Sequence, residues 1–168
     1  MRSSARLLTA QYVGETMSSG ELDITAAGYV PVGTLDSVGF ATLWPTFRPA
    51  SLEVYAHPQN LVRHLQGRNG YIERVAAFNH YGHLIPAALL DPDYYLIWEK
   101  VDSSEAGVSV VWAIPEGDDE ECFLQVGVRV LSAEFTDPKL NYVSTIYPMS
   151  RSKFDSRRMK AKRVWCSK

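Results

Sequence analysis

The chain has 168 residues, 46% of them hydrophobic and 21% charged, proportions that suit one globular domain with a sizeable core. No apolar run approaches the roughly 20 residues that a membrane-spanning helix needs, and Thr9, Gln11 and Glu15 interrupt the N-terminus before a signal peptide's apolar stretch forms, so no membrane and a cytoplasmic location are expected. The net charge of −2 excludes a uniformly basic nucleic-acid binder, yet residues 151–168 carry eight basic side chains against one acidic, leaving nine basic and eighteen acidic elsewhere.

In chain order, residues 7–13 and 28–35 read as strands, with Pro31 placing the second at a sheet edge. Trp44-Pro45 and Arg48-Pro49 break any long helix over residues 36–50, so residues 1–50 read as strands with an irregular cover. A short alternating run, Leu52, Val54 and Ala56, follows. Pro58 suits a first helical turn, Leu61, Val62 and Leu65 supply its apolar face, and Gly67 with Asn69-Gly70 ends it. A second helix is predicted from Tyr71 to just before Gly82, and a short third from Pro86 to Leu90. Beyond Asp91-Pro92 the period becomes two: strands are predicted over 94–100, 108–114, 122–131 and 142–148, with an acidic hairpin loop at 116–121. Leu124, Val126, Val128 and Val130 alternate with Gln125, Gly127 and Arg129, a core face against a polar one. The pattern predicts an α+β domain: two or three helices packed on a curved antiparallel sheet of about four strands, core 51–150, followed by a basic C-terminal tail at 151–168.

Chemistry-bearing residues are few. Cys122 and Cys166 stand far apart and outside any CxxC, so neither a zinc site nor another metal or cofactor is expected. His64 lies beside Arg63 on the first helix, ahead of a sheet and a cationic segment. An imidazole titrates near neutrality and a guanidinium grips phosphate, a pairing that points to phosphodiester chemistry. Neighbours on a helix point about 100° apart, so only one of the two can face a given cleft. His80 and His83 make a poor metal pair and read better as helix-end caps, and His57 before Pro58 reads as a cap. Arg129 either reaches a cleft on the sheet or pairs with Glu99 or Glu134. Trp165 in the basic segment either stacks on a base or anchors the tail.

The order of elements carries a resemblance: Val32-Gly33-Thr34-Leu35, the Leu52-Glu53-Val54 strand, the Arg63-His64 helix, the Leu89-Leu90-Asp91-Pro92-Asp93 stop, the sheet, and Ser144-Thr145-Ile146-Tyr147-Pro148. Over roughly residues 30–158 this resembles the phage-associated nucleases of the barnase, EndoU, colicin and RelE superfamily. The resemblance implies a metal-independent ribonuclease-like domain using general acid–base chemistry. Its catalytic positions fall on His64, on Arg63 or Arg68, and on Ser144 or Thr145; Arg129 on the polar strand face and Arg151, Arg157 and Arg158 in the basic segment are the expected nucleic-acid contacts. RNA and an inhibitor protein, in a phage or bacterial toxin setting, are the implied partners. One departure stands out: ahead of the tail the sheet offers only Lys100 and Arg129 as cations. The alternative is a non-catalytic interaction protein that binds a partner through its acidic body or basic tail.

Overall fold

The computed structural model describes residues 20–67, 69–97, 105–134 and 140–167; the strand expected at 7–13 lies outside them. Within them run β1 (Val30–Thr34), α1 (Ser37–Leu43), β2 (Glu53–Ala56), α2 (Pro58–Gln66), α3 (Tyr71–Tyr81), a 3-10 turn (Gly82–Leu84) and α4 (Ile85–Leu90). There follow β3 (Tyr94–Ile97), β4 (Glu105–Ala113), β5 (Phe123–Leu131), β6 (Tyr142–Met149), α5 (Arg151–Lys160) and β7 (Arg163–Cys166). The class is α+β, but the expected sheet of about four antiparallel strands with two or three helices is wrong. Seven strands form one sheet in the order β1-β2-β6-β5-β4-β3-β7. It is mixed, because β2 lies parallel to β6 while the other neighbours are antiparallel.

The miscount has local causes at both ends of the sheet. The expected strand at 28–35 and the alternating run at 52–56 join the sheet as β1 and β2, and the stretch read as irregular cover supplies α1, the helix starting where the Asp36 carboxylate accepts from the Gly39 N–H at 2.6 Å. At the other end the basic segment is no loose tail. Ser150 caps α5 by accepting from the Lys153 N–H, and β7 then pairs with β3 from Tyr94↔Cys166 to Ile97↔Arg163. Backbone pairing makes no demand on charge, so a four-residue strand, Arg163-Val164-Trp165-Cys166, set among cations passes for tail in a sequence. Trp165 anchors it, stacked on Tyr95 with centroids 4.7 Å apart. It lies so close to α1 that a Cβ on Gly39 would sit 2.8 Å from its ring. Cys122 and Cys166 are not joined in a disulfide.

Ladder register sorts the central strands into two faces. Rows such as Val110↔Val126↔Ile146 point into the main core, where Phe40 and Leu43 of α1, Leu61 and Leu65 of α2, Phe78 of α3 and Ile85 and Leu89 of α4 are buried. On the opposite face α5 covers only one end. There Phe154 packs with Leu96, Val111, Phe123 and Met149. The rest of that face is polar, and the rows Gly107↔Arg129↔Tyr142, Ser109↔Gly127↔Thr145 and Val111↔Gln125↔Tyr147 define it.

Asn141 holds the parallel junction together. Its Oδ1 accepts from the Leu131 N–H at 2.8 Å, and its Nδ2 donates to Ser51 O at 2.6 Å and Glu53 O at 2.9 Å. Asn141→Ala strands three backbone groups and is expected to cost about 2 kcal/mol, read as a lower denaturant midpoint. A midpoint equal to that of the parent would contradict this assignment.

Tyr95 is fully buried, and its hydroxyl accepts from the Asp36 N–H at 2.7 Å. Burial pushes its pKa up to about 12, the Asp36 N–H opposing and the Asp36 carboxylate adding to the rise. A folded pKa above the unfolded value of 10.0 favours the neutral form in the fold. Its stabilisation is therefore complete below that pH and is lost as pH climbs towards about 12. Denaturant midpoints are expected to fall across this window, and less steeply in Tyr95→Phe. Equal slopes in the two proteins would show that another group governs the alkaline limb.

Candidate functional site

Where α5 stops covering the polar face, a cleft of about 590 Å³ opens between the sheet, α2, α3 and α5. Its floor is Gln125 and Arg129 of β5 with Tyr142, Ser144, Thr145 and Tyr147 of β6. In a regular strand Ser144 and Thr145 would face opposite sides. Here the register shifts between Gly127 and Val128, which pair with Thr145 and Val143, so Ser144 is the extra residue of a bulge. Both side chains consequently line the cleft, in keeping with the use of bulges to re-aim residues beside active sites. Gly127 makes room for this: a Cβ there would lie 2.6 Å from Thr145 Cγ2 and 3.2 Å from Ser144 Oγ.

Three helices supply the walls. On α2 the buried Leu61 and Leu65 fix the helix against the core, and that packing brings His64 and the N-cap His57 to the cleft. His57 Nδ1 accepts from the Asn60 N–H at 3.2 Å, which leaves Nε2 to carry the proton of the neutral ring. Arg74 reaches the cleft from α3, with its Nε donating to Asn69 O at 3.3 Å. Arg157 follows Phe154 by three residues on α5, so burial of Phe154 aims it inward, and its guanidinium lies 4.8 Å from the Tyr147 ring centroid. Lys153 approaches the same ring at 5.3 Å.

The cleft is electrostatically one-sided, since three arginines and two histidines line it and no carboxylate stands among the described lining residues. Three buried polar atoms at its floor, Gln125 Oε1, Thr145 Oγ1 and Tyr147 OH, have no hydrogen-bond partner. Gln125 is only 2% exposed. Leaving such atoms unpaired costs about 1–3 kcal/mol each, so in a folded protein they are completed by water, an ion or a ligand. Burial raises the Tyr147 pKa, with Arg157, the Gln125 amide and Arg74 pulling the other way, so its hydroxyl stays protonated at neutral pH. Among the described residues no three His, Cys, Asp or Glu side chains gather as a metal site, and no helix is long and apolar enough to cross a membrane.

No family model, curated protein or solved structure matches the chain. What the site can do therefore rests on its own geometry.

Of the residues singled out in the sequence, the cleft collects His64, Ser144, Thr145, Arg129 and Arg157. Arg63 is exposed one position round the helix and does not line it. Arg68, with Trp98, Glu99 and Lys100, lies outside the described residues. Arg151 lies over the Phe123 ring beside the acidic loop, and Arg158 over the Tyr94 ring; neither belongs to the cleft. His80 borders a neighbouring groove on α3. The sequence reading missed Arg74 and Gln125 and gave His57 only its capping role. Arg74 had a signal: with Phe78 and Tyr81 it stands at i, i+4 and i+7, a cation on the buried stripe of α3.

Proposed function

We propose that the chain is a ribonuclease-like protein that cleaves RNA by metal-independent general acid–base chemistry in this cleft, as the resemblance to the barnase, EndoU, colicin and RelE superfamily implies. One observation carries the proposal: three partnerless buried polar atoms lie under a wall of three arginines and two histidines. Cationic walls fit a phosphodiester, whose non-bridging oxygens accept from guanidinium forks. His64 takes the proton of the ribose 2′-hydroxyl, the 2′-oxygen attacks phosphorus, and the P–O5′ bond breaks. Tyr147, protonated and facing the same cleft, donates to the departing O5′ and recovers the proton from His64 through solvent. Arg74, Arg129 and Arg157 stabilise the charge that builds on the phosphorane. The products are a 2′,3′-cyclic phosphate and a 5′-hydroxyl, with no net proton consumed.

The alternative is a non-catalytic protein that binds a partner through its acidic body or its basic segment, the latter folded as α5 and β7. Incubating the chain with end-labelled RNA in excess chelator tests the proposal. Fragments ending in cyclic phosphate are the expected result; intact RNA at every protein concentration would refute it.

A further inference from the structure

We propose that Gln125 sets the specificity of the cleft, and that its carbonyl oxygen takes a hydrogen-bond donor, O–H or N–H, carried by the ligand next to its phosphate. This rests on reading the cleft as a nucleotide site and says which part of the nucleotide is recognised. The arginines, Thr145 and Tyr147 can all donate to an anionic oxygen. Gln125 Oε1 cannot, because it only accepts, as a phosphodiester does at neutral pH. An inorganic anion would satisfy the walls and leave Oε1 buried and unpaired.

Its row neighbour on β4, Val111, has no polar side-chain atom, and on β6 the Tyr147 hydroxyl lies against the Gln125 amide N–H, which leaves the carbonyl oxygen without a donor from the protein. A leucine would suit a 2% exposed position between Leu124 and Val126 better than an unpaired amide, so the glutamine is there for something outside the fold. RNA offers two donors of this kind: the amino or imino N–H of a base, and the 2′-hydroxyl of the nucleotide on the 5′-oxygen side of the phosphate, since the attacking 2′-hydroxyl gives its one proton to His64. Either must come from an unstacked strand, since a paired and stacked nucleotide does not reach the floor of a cleft.

The test measures binding of labelled single-stranded hexamers by fluorescence anisotropy, in a His64→Ala chain so that substrate is not consumed. RNA, 2′-deoxy and 2′-O-methyl hexamers of one sequence are compared with and without Gln125→Leu, and inorganic phosphate is measured as a competitor. Gln125→Leu is expected to weaken RNA binding about 10-fold, to leave phosphate competition unchanged, and to melt no lower than its parent. If the donor is the 2′-hydroxyl, the deoxy and 2′-O-methyl strands bind the parent weakly and are indifferent to the substitution. If it is a base N–H, all three strands lose affinity together. Gln125→Met, unbranched and of similar length, replaces leucine should the first variant not fold. Equal RNA affinity with and without the substitution would overturn the proposal, as would a parallel loss of phosphate affinity. Should RNA still be cleaved in chelator, the failure belongs to Gln125 alone; if RNA is neither bound nor cleaved, the function itself is wrong.

Discussion

Replacing His64 with alanine is expected to lower RNA cleavage in chelator by a factor of about 10² to 10⁴ while leaving the fold intact. The expectation follows from where the side chain stands. Leu61 and Leu65 secure α2 to the core, whereas His64 is exposed on the cleft side and adds little to packing. Exposed substitutions of this sort usually stay within about 0.5 kcal/mol in stability, so lost cleavage would report chemistry rather than unfolding. Arg63 supplies the matched control, because it is adjacent in sequence, exposed and outside the cleft. Arg63→Ala is expected to cleave within about twofold of the parent, allowing for a small loss of long-range attraction. Equal losses in both variants, or none in either, would remove His64 from the chemistry.

The second large effect is structural and reaches the site indirectly. Phe154→Ala is expected to destabilise the protein by about 3–5 kcal/mol, the usual cost of emptying a fully buried aromatic position. For a chain of this size that is a drop of roughly 6–20 °C in melting temperature. Phe154 has no exposed surface and stacks on Phe123 at 4.4 Å and Tyr94 at 4.9 Å. It is also the only buried residue of α5, the helix that presents Arg157 and Lys153 to the Tyr147 ring. RNA affinity is therefore expected to fall even at temperatures where the variant remains folded. Met159→Ala on the same helix, 86% exposed, should change neither quantity. Normal RNA binding by a folded Phe154→Ala chain would detach α5 from the site.

Much of the scaffold was legible because it depends on local period. The alternation in 123–131, Pro58 ahead of Leu61 and Leu65, and the acidic turn at 116–121 each specify one element, and β5, α2 and the β4–β5 hairpin stand where they point. Elements secured by distant partners were harder to read. β7 exists because β3 offers it a free edge, and α5 has one apolar anchor whose pocket comes from four strands. Neither dependence leaves a period in the local sequence.

The site divides along the same line. His64, Ser144, Thr145, Arg129 and Arg157 were recognisable by residue type, yet nothing local could show that a one-residue bulge turns both hydroxyl-bearing neighbours the same way. Gln125 was visible only as part of the polar face of β5, where Arg129 alone was singled out. In the fold it is 2% exposed, because α2, α3 and α5 rise around it to form the cleft.

Chemical-shift mapping tests most directly whether this cleft is where a nucleotide binds. A ¹⁵N-labelled His64→Ala chain is titrated with a short single-stranded RNA, and the amide shifts are followed residue by residue. The largest changes are predicted at Gln125, Gly127, Thr145 and Tyr147, together with the first turns of α2 and α3. Changes confined to the outer surface of α5 or to the acidic loop, or no changes at saturating RNA, would contradict the account.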